Sequence, residues 1–267
     1  MFFAMVVSDI FVARNYTYEL IGNERLKFYE AIAKHYDLIF PHRGARLDFV
    51  LSFFSKGPQE IVDLGCATGA LAIALAVKGH RVRALDLNEQ MVSAGKERAL
   101  ELGLAIEFYA KDMCEVESVC QPESQSCALC FGNTLVHLES LGTVTEFCAA
   151  VAKVLKPGAF FLGQIVNYDR ILSLKPKGLP TIENEHIRFE RLYHYGADES
   201  KIVFRANLLV KESKQESSEE VTLLALTKEQ LQSSLVRAGF SSVHFYSDYE
   251  RSAWSIQSTP TFFVAWK

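Results

Sequence analysis

The side chains best suited to chemistry follow a short apolar run. Cys127 to Phe131 has the composition of a buried strand, and in "CALCFGNTLVHLES" it empties at Gly132 into Asn133, Thr134 and His137. A parallel strand that ends this way puts small and polar groups at its carboxyl edge, where open α/β sheets hold ligands. The same residues also fit a turn with a helix cap. His137 in particular reads either as a catalytic group or as the cap or packing of the helix that follows. Three carboxylates, Asp63, Asp86 and Asp112, stand at or near the ends of three earlier apolar segments. An acid at the second of these positions suits bidentate bonding to ribose hydroxyls. At the third it can accept from an adenine amino group, with Met113 packing on the base.

These residues need a sheet to hold them, and the chain has the rhythm of one. From Asn23 to Phe54 apolar residues recur at helical spacing, Pro41 interrupts them, and a second helix is expected over Leu47 to Phe54. After Gly57-Pro58 strands and helices alternate. "EIVDLG", "RVRALDL", "IEFYAKDM", "CALCFG" and "AFFLGQIVN" are strands, with helices after the first, second and fourth. That alternation predicts a parallel sheet with right-handed crossovers. From Ile171 to Thr227 the pattern becomes antiparallel strands without a helix. "KEQLQSSLVRAGF" resumes a helix, and "SVHFYSDYE" and "TPTFFVAWK" are two last strands.

The turn in "VDLGCATGALAIAL" is the most specific local signal. Gly65 permits the tight bend, small Ala67 and Gly69 let backbone approach a ligand, and the helix that follows offers free N–H groups. The dinucleotide fingerprint G-x-G-x-x-G fails here, because Ala67 and Ala70 fall on its second and third glycines. A Gly loop with three acidic strand ends in order resembles the class I S-adenosylmethionine-dependent methyltransferases. The motifs span Glu60 to Gly158 and the rhythm spans the chain. "DLGCATG" departs from that family's acidic-x-Gly-x-Gly-x-Gly loop only at Ala67.

The resemblance implies an α/β Rossmann-like fold: a mostly parallel seven-stranded sheet, helices on both faces, and an antiparallel β insertion after the fifth strand. Residues 58–170 and 227–267 would form the cofactor domain, 171–226 a substrate lid, and 1–57 a helical segment over the active site. S-adenosyl-L-methionine is the implied cofactor. Asp63, Gly65 and Gly69 would lie near its methionine end, Asp86 at the ribose, and Asp112 and Met113 at the adenine. Their neighbours Cys66, Leu87, Phe131 and Gly132 complete the expected cofactor contacts.

"CFGNTLVHL" and "VNYDRIL" further resemble the glycine and sarcosine N-methyltransferases. Those enzymes carry an Arg before Asn-Tyr-Asp to grip a substrate carboxylate; this chain has Val166 there. The resemblance implies a small-molecule acceptor, an amine, without naming it. On the acceptor side stand Asn133, which can orient an amine through its carboxamide, His137, and Tyr36 and Tyr168, whose aromatic faces attract a cation. Tyr193, His194 and Tyr195 can line the pocket or serve as ordinary strand packing. The competing functions are a cofactor-binding regulatory module without catalysis and a nicotinamide-dependent oxidoreductase.

Composition narrows the partners. The chain has 267 residues, 49% of them hydrophobic and 12% aromatic, and a net charge of −4. That supports a full core, and without a Lys/Arg stripe it argues against a nucleic-acid substrate. Six cysteines without a disulfide framework fit a reducing, cytoplasmic location, and Cys127 and Cys130 read as buried thiols and not as a metal site, since no metal ligand set accompanies them. "MFFAMVVSDIFVARN" lacks the basic start of a secretory signal and is too short to cross a bilayer, so it reads as a packing segment or an extended start ahead of Met5. Oligomeric state is open.

Overall fold

The computed structural model describes residues 27–41 and 44–267. The expectations for the N-terminal apolar stretch lie outside them. Residues 27–33 are helical (α1), followed by α2 (Tyr36–Ile39) and α3 (Gly44–Leu51). Then come β1 (Glu60–Leu64), α4 (Ala70–Val77), β2 (Arg81–Asp86), α5 (Glu89–Glu101), β3 (Ile106–Ala110), β4 (Gln125–Cys130), α6 (Leu141–Val154) and β5 (Leu155–Val166). Short 3₁₀ turns cover Met113–Ser118 and Thr134–His137. The remainder is α7 (Tyr168–Leu174), β6 (Gly178–Glu183), β7 (Ile187–Tyr195), β8 (Lys201–Val210), β9 (Gln215–Leu224), α8 (Lys228–Arg237), β10 (Ser242–Tyr246) and β11 (Pro260–Trp266).

Seven strands form one sheet in the order β10-β11-β5-β4-β1-β2-β3. β1 to β5 are parallel, and β11 runs antiparallel between β5 and β10, as the two last strands predict. The fold is the expected mostly parallel, Rossmann-like sheet. β4 sits beside β1, so the order reverses between them and the crevice opens at the carboxyl ends of both strands.

The sheet is buried on both faces. Val62, Leu64, Ala128, Cys130 and Phe161 meet α6 and α8 on one side. Ile61, Val82, Ala84, Leu129 and Leu162 meet α3, α4 and α5 on the other. Cys127 and Cys130 fall in opposite cores, as an odd spacing on a strand requires. They are packing thiols, and all six cysteines are free.

The antiparallel insertion is a four-stranded sheet, β6-β7-β8-β9. Its inward residues Ile187, Phe189, Tyr193, Ile202, Leu208 and Val221 join the same core as Phe28 and Ile32 of α1. The sequence predicts no helix after Ile171, yet α7 covers Tyr168–Leu174. Asn167 caps it by accepting from Arg170 N–H, a start signal easy to overlook ahead of only seven residues of mixed polarity. The helix expected to end at Phe54 closes earlier, at Leu51. No helix among the described residues is long and apolar enough to cross a membrane.

Asn167 holds the far end of the central sheet together. It is fully buried, its Nδ2 donates to the carbonyls of Ser255 (3.1 Å) and Ser258 (3.0 Å), and its own N–H donates to Thr259 O. One side chain therefore both starts α7 and fixes the loop entering β11. Asn167→Ala strands those carbonyls and removes the cap, and should cost on the order of 2–4 kcal/mol. Urea unfolding reads this out as a lower midpoint at unchanged slope.

Candidate active site

Four loops meet at the carboxyl edge of β1 to β4. The β1–α4 loop turns at Gly65, whose positive φ of 78° suits glycine and whose N–H donates to Leu85 O. A Cβ there would overlap the Thr134 methyl, so the glycine lets the β4 loop close against the β1 loop. Ala67 also has positive φ, at 50°, an uncommon conformation for a residue with a side chain. Its N–H donates to Asp86 Oδ2 at 2.8 Å, while Asp86 Oδ1 accepts from Asn88 N–H at 2.9 Å. Asp86 is thus a carboxylate in the crevice and also the tie between two loops. Asn88 caps α5 by accepting from Met91 N–H, and Asp112 accepts from Cys114 N–H.

Two adjoining cavities open over this edge. The first is a slot of about 600 Å³ lined by Gly65, Ala67, Asp86, Leu87, Asn88, Met91, Asp112 and Met113. The second is a chamber of about 1300 Å³ reaching under the antiparallel sheet, lined by Phe28, Ile32, Phe40, Arg46, Asp63, Cys66, Phe131, Asn133, Phe189, Arg191 and Tyr193 among others. Tyr29, Tyr36, Gly65, Ala67, Gly132 and His137 border both, so these residues form the junction.

Asp86, Leu87, Asp112 and Met113 therefore converge in the slot, with Gly65 and Gly132 at the junction. Asp63, Cys66 and Phe131 face the chamber. Gly69 borders neither. It is the first residue of the α4 turn, at φ 72°, and a Cβ there would come within 2.6 Å of the Phe108 ring. Its smallness serves the packing of α4 against β3.

On the other side, Tyr36 and His137 stand at the junction, but Tyr168 borders neither cavity. Its ring is fully buried behind Asn133. Asn133 Nδ2 donates to the Tyr168 hydroxyl at 3.2 Å, and Val166 N–H donates to Asn133 Oδ1 at 2.9 Å. Both ends of this carboxamide are thus held, at a residue whose φ of 69° aims it off the strand end. The cap of α6 is Ser140, which accepts from Thr143 N–H, so His137 does not cap that helix. His137 is 7% exposed, and its Nε2 lies 2.9 Å from the Tyr29 hydroxyl.

The junction is electrostatically unusual. Burial pushes the Asp63 carboxyl up to about 7, against an opposing pull from Arg46 and a further push from Asp86. Burial also raises the Tyr36 hydroxyl, helped by Asp86, and raises Cys66 well above the ordinary thiol range. Arg46 stacks its guanidinium 5.8 Å from the Phe131 ring centroid. Asp37, beside Tyr36, accepts from Thr68 of the β1–α4 loop and from Arg98 of α5, which ties the N-terminal helices down over the crevice.

Several of these residues escaped the sequence reading. Tyr29 looks like any apolar position of α1. Arg46 and Arg191 carry no motif. Met91 belongs to the ordinary stripe of α5. Alternation along β7 does separate Tyr193, which lines the chamber, from exposed His194.

Comparison with known proteins agrees with this geometry. A methyltransferase-domain family model matches residues 61–158, which hold β1 to β4 and all four loops. A Geobacillus protein (strain WCH70) designated a methyltransferase is 26% identical over 254 residues, covering 90% of this chain and 99% of that protein. A ubiquinone biosynthesis O-methyltransferase of Photobacterium profundum is 27% identical over 145 residues, 50% of this chain and 58% of its own. The crystal structure of an S-adenosylmethionine-dependent methyltransferase from Clostridium acetobutylicum ATCC 824 superposes with a TM-score of 0.73 at 15% identity, covering 90% of this chain and 97% of that one. The family match removes the nicotinamide reading that the failed G-x-G-x-x-G already opposed. Residues 61–158 thus match a methyltransferase domain, and the chain is similar over nine-tenths of its length to methyltransferases in sequence and to an S-adenosylmethionine-dependent methyltransferase in fold.

Proposed function

We propose that this enzyme methylates the nitrogen of a small-molecule amine held in the chamber. The observation that carries the reading is the junction itself: a slot with acids at its far end opens through Tyr29, Tyr36, Gly132 and His137 into a chamber under the antiparallel sheet, lined by aromatic and polar side chains together. A space roofed by a β-sheet admits a small molecule and excludes a folded polymer. In the slot, the two oxygens of Asp86 can accept from ribose hydroxyls alongside the backbone N–H groups they hold, and Asp112 and Met113 flank the place for a base. On the chamber side of the junction, Asp63 and Arg46 offer opposite charges to the ammonium and carboxylate of the cofactor's methionine part. The residues therefore fit the cofactor. When bound, S-adenosylmethionine supplies a methyl group on a sulfonium, already activated for in-line displacement.

The protein's own share is alignment and exclusion of water. Tyr29 and Tyr36 line the junction, and an aromatic ring face favours positive charge over neutral groups. Asn133, fixed at both ends of its carboxamide, is a rigid part of the chamber wall beside Gly132. Tyr168 acts through Asn133 as a positioning residue. A neutral amine needs no strong base for this transfer, whereas a hydroxyl does. A second reading, a hydroxyl acceptor, is favoured by the Tyr29–His137 contact, which gives the junction an imidazole able to take a proton, and by the O-methyltransferase relative.

His137→Ala separates the two readings once a panel of amines and phenols has given a turned-over acceptor. With an amine, kcat should fall by about tenfold or less. A loss of roughly 10²–10⁴-fold identifies a hydroxyl acceptor with His137 as its base.

The ribose assignment is tested without confusing it with loop damage. The wild type should bind S-adenosylhomocysteine about tenfold more tightly than its 2′-deoxy analogue, and Asp86→Asn should narrow that gap. An unchanged gap in the variant refutes the assignment.

Asp63 sets a pH dependence. Its folded pKa of about 7 lies above the ordinary 3.8, so the folded, unliganded protein holds the extra proton and loses stability as pH rises from about 4 to about 7. An ammonium beside Asp63 requires the ionised form. Cofactor affinity should therefore rise from pH 5 to pH 7, with proton release on binding, and Asp63→Asn should flatten that rise in calorimetric titrations.

A further inference from the structure

The inward face of β7 carries Ile187, Phe189, Arg191 and Tyr193 in alternation. Three of these are buried packing residues, and the fourth is a guanidinium on the same face, bordering the chamber. Arg191 forms no ion pair among the described residues. Its hydrogen bond runs from Nη2 to the Pro180 carbonyl, and its Nε is buried without a partner among the described residues. Of the other charges in the chamber, Asp37 is taken by Thr68 and Arg98, while Arg46, whose Nε is likewise without a partner among the described residues, acts on Asp63 against the effect of its burial. Burial lowers the Arg191 pKa from its ordinary value, so the site works against its charge.

The backbone fixes where this guanidinium stands. β6 pairs with β7 through a bulge between Leu179 and Ile182, and that bulge presents the Pro180 carbonyl to Arg191. Gly178 makes the approach possible, because a Cβ there would collide with the Arg191 carbonyl oxygen. A cation held on an apolar face with N–H groups to spare is costly for folding alone. It is well matched to a planar anion, which accepts from two guanidinium nitrogens at once.

We propose that Arg191 anchors a carboxylate on the methyl acceptor, so that the acceptor is an amino carboxylate with an apolar or aromatic body. The body lies against Phe28, Phe40, Phe189 and Phe204, and the amino end reaches Tyr36 and Gly132 at the junction. This rests on the reading of the chamber as the acceptor site. The position before Asn167 is Val166, so the cation proposed here comes from the roof and not from that segment.

Ligand-observed NMR on the enzyme loaded with S-adenosylhomocysteine tests the anchor without needing turnover. The probes are 3-phenylpropanoate, its amide and 3-phenylpropylamine. The carboxylate should bind at least tenfold more tightly than the amide, and Arg191→Gln should abolish that preference while S-adenosylhomocysteine still binds. Arg191→Lys should keep part of it, and Arg191→Met should match or exceed the wild type in thermal stability before any ligand is added. Equal binding of carboxylate and amide, no binding of the carboxylate to folded enzyme, or a preference that survives in Arg191→Gln overturns the proposal. Loss of stability in Arg191→Met also counts against it, because it marks Arg191 as structural. If the carboxylate preference holds and yet no amine is methylated, the amine reading fails while the anchor stands.

Discussion

One carboxylate governs the geometry of the site. Asp86 accepts from Ala67 N–H in the first loop and from Asn88 N–H in its own. That pair of bonds holds Ala67 in a conformation its side chain disfavours and aims the backbone of the β1–α4 turn across the crevice. Gly65 then lets Thr134 close in from the β4 loop. Three loops far apart in the chain are thereby set in one register, and the slot is the space left between them. A charged group at a strand end is usually solvated or caps a helix; here both its oxygens brace the scaffold and the same carboxylate borders the slot.

The chamber follows from a different constraint. A parallel sheet supplies only a floor, because its crevice lies beyond the strand ends. The walls come from α1 and α2, tied to α5 by Asp37 and Arg98, and the roof from β7 and β8, whose inward residues continue the hydrophobic core. Closure makes the buried charges expensive. Asp63 is driven up to about 7, and Arg191 is held against its preference. Stability given up at a few buried polar positions, within a core otherwise apolar, is the pattern of a site shaped for a ligand.

Much of this was legible in the chain. The strand–helix rhythm, the closing antiparallel strands and the antiparallel insertion all follow from hydrophobic period, which is a local signal. The acids at the strand ends were visible for the same reason: each stands where a period-two run stops. What stayed hidden depends on non-local geometry. Gly65 and Gly69 look alike in sequence, yet the first faces a ligand cavity and the second the ring of Phe108, two strands further along the chain. Tyr168 sits in a motif that points to the pocket, but the cap at Asn167 starts a helix that turns its ring inward. Arg46, Tyr29 and Arg191 come from three separate segments, and no spacing rule joins them.

The most direct measurement is a crystal structure of the enzyme grown with S-adenosylhomocysteine. The account predicts the ribose at Asp86, the adenine between Asp112 and Met113, and the sulfur at the junction of Tyr36, Gly132 and His137, facing the chamber. An adenosyl group lying in the chamber under β7, or a sulfur turned away from the junction, would contradict it.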